Sequence, residues 1–256
     1  MKRFGLVGHP LTYSFSATLF NDKFVKEGCD CKYCNFDIDE ISGISQLLLH
    51  YPDLVGFNVT IPYKQAIMPY LDRIDEEAQE IGAVNTVKIK GNQFFGYNTD
   101  AYGFSQLLDQ ALNGNDNVRA LILGSGGASK AVQYVLKKRQ IPFSIVSRTK
   151  DNGDLTYHDL DGKIISDNLL IVNTTPLGMS PNPDCCPDIP FSSLGSSHIL
   201  IDLIYNPEET SFLRQGRLQG AMTFNGMTML RSQAMRAWRF GMTTPYEILH
   251  INIIIH

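Results

Sequence analysis

Short apolar runs alternate with amphipathic stretches along almost the whole chain. Phe4 to Gly8 is the first run, and after it "ATLFNDKFVKEG" repeats Leu19, Phe20 and Phe24 at helical spacing until Gly28 stops the helix. A strand at about 32–38, a helix at about 41–50 and a strand over 54–60, ended by Pro62, follow. "EEAQEIG" reads as the close of a helix with Gly82 as its stop, and "AVNTVKIKGNQFFGY" as two strands that turn at Gly91 and Asn92. A helix at about 101–112 and the polar stretch "NGNDN" lead to a fully apolar strand, a glycine-rich turn, a helix at about 128–140 and a strand ending at Ser147. Strands are expected again at about 169–173 and 198–203, with "DNGDLTYHDLDG" a polar loop. The last helical stretch, "GMTMLRSQAMRAWRFG", puts Met227, Leu230, Ala234 and Trp238 on one face, with Gln233 beside it.

This order predicts an α/β protein of two domains, a mixed-sheet domain over 1–101 and a Rossmann-like dinucleotide-binding domain over 102–229. A length of 256 residues suits two cores. Hydrophobic residues make up 43% and charged residues 19%, which excludes a disordered or fibrous chain. The net charge of −4 comes with no cluster of Lys and Arg, so neither nucleic acid nor an anionic membrane is an expected partner, and a small molecule is. No apolar run approaches the ~18 residues of a membrane helix, and Phe4 to Val7 is too short for the core of a signal peptide. A cytoplasmic location is expected. The five cysteines, Cys29, Cys31, Cys34, Cys185 and Cys186, do not form a disulfide framework, and "CDCKYC" has no second CxxC or HxxxH to complete a zinc site. No metal is expected.

Two stretches carry chemistry. In "LILGSGGASKA", Gly124, Ser125, Gly126, Gly127 and Ala128 join a strand to a helix. Glycines there let backbone N–H groups approach a pyrophosphate at the helix N-terminus, so a dinucleotide is expected. The next strand ends in Ser147, Arg148 and Thr149 rather than in an Asp or Glu that would hold a ribose 2′-hydroxyl, and this favours NADP. In "GFNVTIPYKQ" a strand with polar Asn58 and Thr60 at its end runs into a proline and then presents Lys64. Lys64 is either a solvated side chain opening the next helix or a proton donor and acceptor in a cleft. Ser14, Ser16 and Asp100 could be helix caps and Asn85 could satisfy a strand end; Gly56, Gly96 and Gly103 could ease a hinge.

Taken together, "GHPLTYSFSATLFN", "GFNVTIPYK", "GAVNTV", "GYNTDAYGF", "LGSGGASKA", "NTTPLGM", "DLIYNP" and "MLRSQA" stand in the order of one family, and the chain resembles the shikimate dehydrogenases along nearly its full length. The resemblance implies NADPH-dependent reduction of 3-dehydroshikimate to shikimate in a cleft between two domains, by a monomer or homodimer whose C-terminal helices, about 230–256, pack back on the first domain. It implies that Lys64 and Asp100 flank the reacting oxygen, Ser14 and Ser16 hold the substrate carboxylate, Thr60 and Asn85 its hydroxyls or carboxylate, and Gln233 a further hydroxyl. Tyr205 would lie near the carboxylate. Gly124 to Ala128 would hold the pyrophosphate, Ser147 to Thr149 the 2′-phosphate, and Gly226 would offer a backbone contact near the nicotinamide.

The chain departs from the family pattern at Tyr13, Ala17 and Phe20 in the first motif and at Thr228 in the last, and carries Asp154 where a basic residue is usual after "RT". Rival readings are a quinate/shikimate dehydrogenase using NAD, a folate-linked dehydrogenase, and a non-catalytic module binding NADP or a shikimate-like ligand.

Overall fold

In the computed structural model, residues 1–11 and 14–242 are described; Tyr13 and the part of the expected C-terminal helices beyond 242 lie outside them. The chain divides into two compact units, Met1–Thr99 with the chain from Ala234 onward, and Asp100–Gln233.

The first unit contains β1 (Lys2–Gly8), α1 (Phe15–Lys26), β2 (Cys31–Asp37), α2 (Ile44–His50), β3 (Leu54–Val59), β4 (Arg73–Ile74), α3 (Glu76–Ile81), β5 (Thr86–Lys90) and β6 (Gln93–Tyr97). Its six strands run in the order β2-β1-β3-β5-β6-β4. β1 pairs in parallel with β2 and β3, whereas β5 is antiparallel to both β3 and β6, so the sheet is mixed as the sequence predicts. Period-two alternation supplies both faces with apolar side chains. Val7, Phe36, Val59 and Val87 pack with Ile44 and Leu47 of α2, while Phe4 and Tyr33 pack with Phe20 and Phe24 of α1 and with Ala234 and Trp238. Phe20 and Phe24 are the buried positions of α1, one turn apart, and both rings lie against Trp238, at 6.0 and 5.6 Å between centroids. Full burial of each such ring contributes roughly 1.5–3 kcal/mol.

The second unit contains α4 (Asp100–Leu112), β7 (Ala120–Leu123), α5 (Gly127–Lys138), β8 (Phe143–Ser147), β9 (Leu155–Thr156), α6 (Gly162–Asp167), β10 (Leu170–Asn173), β11 (Ile199–Asp202), α7 (Ser211–Leu218) and β12 (Met222–Phe224). α8 (Met227–Met242) begins in this unit and ends in the first. All pairings in the second sheet are parallel, in the order β12-β11-β10-β7-β8-β9. Counted within the unit, that is the doubly wound order 3-2-1-4-5-6 read from β9, the Rossmann arrangement. "ALIL", the whole of β7, is buried on both faces, as a central parallel strand requires. Arg139, just past α5, pairs with both Asp109 of α4 and Asp116, and so anchors the polar stretch that precedes β7.

Several expectations are corrected. No α-helix begins at Lys64, which lies in a run of turns before a short 3-10 segment at Met68–Tyr70. "DNGDLTYHDLDG" is not loop throughout, because Leu155 and Thr156 add the edge strand β9 and Asp159 caps the following turn through the backbone N–H and hydroxyl of Thr156. The helix at 41–50 is split into a 3-10 turn, Ile41–Gly43, and α2. α6, α7, β4 and β12 add to the expected elements. Gly56, Gly96 and Gly103 are points of close packing, since a Cβ on each would lie 2.9 Å from Val87 O, 2.5 Å from Leu71 Cδ1 and 2.6 Å from Met229 O respectively.

The loops after β10 and β11 are tied by a buried carboxylate. Asp202 Oδ1 accepts from Asn173 Nδ2 at 3.1 Å and from the Ile204 N–H at 3.0 Å, and Oδ2 from the Thr210 hydroxyl at 2.6 Å. Burial pushes the Asp202 carboxyl up to about 6, against the opposing pull of those three donors. In the unfolded chain the carboxyl titrates near ~3.9, so between that pH and about 6 the folded state holds the extra proton. The stability from this group is therefore complete at low pH and is lost as pH rises through about 6. Asp202→Asn should remove this dependence. In urea unfolding, the stability of the variant relative to wild type should move in its favour by about 2 kcal/mol between pH 4 and pH 7. A difference that stays constant across that range contradicts the assignment.

Gly103 supplies a second test. Because the obstructing atom is a backbone carbonyl, Gly103→Ala should force α4 and α8 apart and destabilise by about 1–3 kcal/mol in a denaturant titration, despite the higher helix propensity of alanine.

Candidate functional site

In the first unit the polar residues singled out by sequence gather at the C-terminal ends of the parallel strands, where open α/β sheets bind ligands. Ser14 is buried as the N-cap of α1, its Oγ accepting from the Ala17 N–H at 3.2 Å. Ser16, the second residue of α1, is half-buried and within interaction reach of the Tyr33 hydroxyl. Thr60 extends β3 by donating its N–H to Val7 O at 2.9 Å, and its carbonyl takes the Tyr63 N–H. The Lys64 carbonyl accepts from Val84 N–H at 2.7 Å, next to Asn85, whose own carbonyl accepts from Val59 N–H at 2.8 Å. These backbone bonds hold the chain at Thr60, Lys64 and Asn85 together; the Lys64 side chain is half-buried.

Behind them runs a partly buried network that the sequence did not announce. Tyr33 O–H donates to Asn58 Oδ1 at 2.9 Å, and Asn58 Nδ2 donates to Thr86 Oγ1 at 3.1 Å and to Asn85 O at 3.3 Å. Thr86 Oγ1 donates to Asn85 Oδ1 at 3.1 Å, which also accepts from Thr99 N–H at 2.8 Å, while Asn85 Nδ2 donates to Thr99 Oγ1 at 2.9 Å. The desolvated Tyr33 hydroxyl is held well above the ordinary tyrosine range. The one visible sign was a polar Asn58 inside an otherwise apolar strand; Tyr33, Thr86 and Thr99 look like ordinary strand residues.

In the second unit Asp100 is buried as the first residue of α4, where a carboxylate suits the helix dipole. Gly103 lies one turn on, on the same face, against Met229 and Gln233 of α8, and its missing side chain leaves room for Gln233, whose Cβ is 3.1 Å from the position a Cβ would take. Thr228, a departure from the family pattern, donates its hydroxyl to Gln110 Oε1 at 2.9 Å and so helps join α8 to α4. Tyr205, half-buried, follows the segment braced by Asp202. Gly226 is glycine for a packing reason: a Cβ would sit 2.0 Å from Leu203 O, and its N–H donates to Ile204 O.

The glycine turn occupies the switch point between β7 and β10. Gly124 has φ +106°, and a Cβ on it would meet Thr174 Oγ1 at 2.8 Å, whereas a Cβ on Gly126 would meet nothing within 4 Å. Open space at Gly126, exposed backbone and a first helical turn without acidic residues suit a pyrophosphate at the start of α5, with Ser125, Gly127 and Ala128 at its margin. Beyond β8, Ser147 is buried and its hydroxyl donates to Thr149 O while accepting from Thr149 N–H at 3.2 Å, so it shapes the turn rather than facing outward. Arg148 and Thr149 are exposed. Asp154 does not oppose them freely, since Oδ2 accepts from Ile145 N–H at 2.8 Å. The donor set therefore fits an additional phosphate better than a ribose diol.

Among the described residues no group of three His, Cys, Asp or Glu side chains could hold a metal ion, and no helix is long and apolar enough to cross a membrane.

Comparison with known proteins agrees with this arrangement. Residues 6–87 match the profile of the shikimate dehydrogenase substrate binding domain. A shikimate dehydrogenase (NADP(+)) of Methanococcus maripaludis is 39% identical over 249 residues, covering 90% of this chain and 87% of the relative. The crystal structure of shikimate 5-dehydrogenase from Thermus thermophilus, in complex with NADP(H) and shikimate, is 30% identical, with a TM-score of 0.83 and 94% of each chain covered. Quinate dehydrogenase from Corynebacterium glutamicum, in complex with NAD, superposes with a TM-score of 0.82 at 28% identity, covering 94% of this chain and 93% of its own. With the mixed and doubly wound sheets and the strand-end polar residues in place, the chain belongs to the shikimate dehydrogenase family.

Proposed function

We propose that this protein is a shikimate dehydrogenase, an oxidoreductase acting on a CH–OH group that interconverts 3-dehydroshikimate and shikimate with NADP, a step toward chorismate and the aromatic amino acids. The observation that carries the reading is the 39% identity to an NADP-dependent shikimate dehydrogenase across 90% of the chain. NADPH, when bound, supplies the hydride that reduces the ketone.

The chain's own residues supply binding and the proton. Lys64 delivers the proton that neutralises the charge developing on the carbonyl oxygen and takes that proton back from the hydroxyl in the reverse direction, with Asp100 as the carboxylate flanking the same oxygen. Ser14 and Ser16 take the substrate carboxylate, with Tyr205 nearby. Thr60, Asn85 and Gln233 fix the hydroxyls. Hydroxyl and amide groups suit a polyhydroxylated acid because they give and take hydrogen bonds without adding competing charge.

On the cofactor side, the amides at Gly124 to Ala128 hold the pyrophosphate, Arg148 and Thr149 the 2′-phosphate, Ser147 braces their turn, and the Gly226 backbone borders the nicotinamide. The NAD-linked quinate reading is favoured by likeness to the Corynebacterium enzyme and disfavoured by Arg148 and by the lack of an acid at the end of β8. Five free cysteines suit the reducing cytoplasm, and the chain works as a monomer or homodimer.

Two measurements test this reading. Lys64→Ala should lower kcat by ~10²–10⁴ while changing shikimate affinity, read by calorimetry, less than about tenfold; near-normal turnover removes Lys64 from the mechanism. Arg148→Ala should raise KM for NADPH by about tenfold and leave the slower NADH reaction nearly unchanged. Equal effects on both cofactors would mean that Arg148 does not read the 2′-phosphate.

A further inference from the structure

We propose that Thr86 is a positioning residue for the substrate: with Thr99 it locks the Asn85 carboxamide with its oxygen turned into the protein, so that Asn85 meets the substrate only through N–H. The inference rests on the shikimate dehydrogenase reading, since that reading makes Asn85 a substrate contact.

The orientation follows from which groups can only donate. A backbone N–H cannot accept, so the Thr99 N–H, 2.8 Å from the Asn85 carboxamide, identifies the end facing it as the oxygen. That oxygen also accepts from Thr86 Oγ1 at 3.1 Å and from the Thr99 hydroxyl at 3.2 Å. Thr86 has one hydroxyl proton, and its direction is set from behind. Asn58 Nδ2 donates to Thr86 Oγ1 at 3.1 Å, and the Thr86 proton then goes to Asn85 Oδ1 at 3.1 Å, a shorter contact than Thr99 Oγ1 at 3.4 Å. Asn58 is oriented by a group that can only accept: its Nδ2 donates to the Asn85 backbone carbonyl at 3.3 Å, which turns Oδ1 to the Tyr33 hydroxyl at 2.9 Å. Donation thus runs one way from Tyr33 through Asn58 and Thr86 to Asn85, across β2, β3 and β5.

Tyr33, Thr86, Asn85 and Thr99 are buried and Asn58 is half-buried, so each member's orientation is set chiefly by its protein partners. The substrate atom facing Asn85 must then be an acceptor, a carboxylate, carbonyl or hydroxyl oxygen, and a group that can only donate is rejected.

The test uses the full-length enzyme and the near-isosteric Thr86→Val, which keeps shape and removes the relay. It should raise KM for shikimate about tenfold, leave kcat within about threefold and leave KM for NADP unchanged. Thr86→Ser, which restores the hydroxyl, should return KM to within about twofold of wild type. A wild-type KM in the valine variant overturns the proposal, as does an equal rise in KM for both ligands or a serine variant as impaired as the valine one. Should Thr86→Val fail to fold, Tyr33→Phe, which removes only the first O–H of the relay, must show the same split between the two KM values at about threefold, and its absence overturns the proposal. A wild-type enzyme that does not oxidise shikimate sinks the functional reading instead. Calorimetry with shikimate then reads the positioning alone: binding weakened about tenfold by Thr86→Val supports it, and unchanged binding, or none to wild type, overturns it.

Discussion

A polar group buried at the end of a strand is tolerable only when its donors and acceptors are met, because leaving one unmet costs about 1–3 kcal/mol. Both units obey this constraint at the positions their chemistry depends on. In the first, the Asn85 carboxamide is met by Thr86 and Thr99. In the second, the Asp202 carboxylate is met by Asn173, Thr210 and the Ile204 N–H, although three donors do not fully offset its burial. Meeting the demand fixes the orientation of each group, and a fixed orientation is what a binding site needs.

The same constraint separates residues that face a ligand from residues that hold those residues still. Ser147 stands where a 2′-phosphate is expected, yet its hydroxyl is bonded within the turn and Arg148 is the exposed neighbour. Gly226 is required by the approach of Leu203 whatever else its backbone does, and Gly103 by the closeness of α8. Function and packing are written into the same short motifs, so a motif alone does not tell which of its residues touch substrate.

Much of the fold was legible because the local signals were strong. Gly28 and Gly82 end α1 and α3 in left-handed conformations, Gly91 turns the hairpin of β5 and β6, and "ALIL" reads as a buried parallel strand. The weaker elements were not. α7 is only eight residues long and carries Gly216 near its end, and β4 and β9 are two-residue edge strands whose existence depends on β6 and β8 being there to pair with. At the candidate site the residue types were legible and their partners were not. Nothing local distinguishes Thr86 from any strand threonine, or Asp202 from a surface aspartate, because burial and hydrogen-bond direction come from segments far away in sequence.

The pairing of Trp238 with Phe20 and Phe24 has a consequence for biosynthesis. The aromatic cluster of the first unit lacks its indole until residue 238 has left the ribosome, whereas the intervening unit, Asp100–Gln233, is contiguous and can close by itself. At ~5–20 residues per second the nascent amino-terminal sheet waits on the order of ten seconds with Phe20 and Phe24 open on the side that Trp238 covers. During that interval the two rings present an apolar face that the finished chain closes with Trp238.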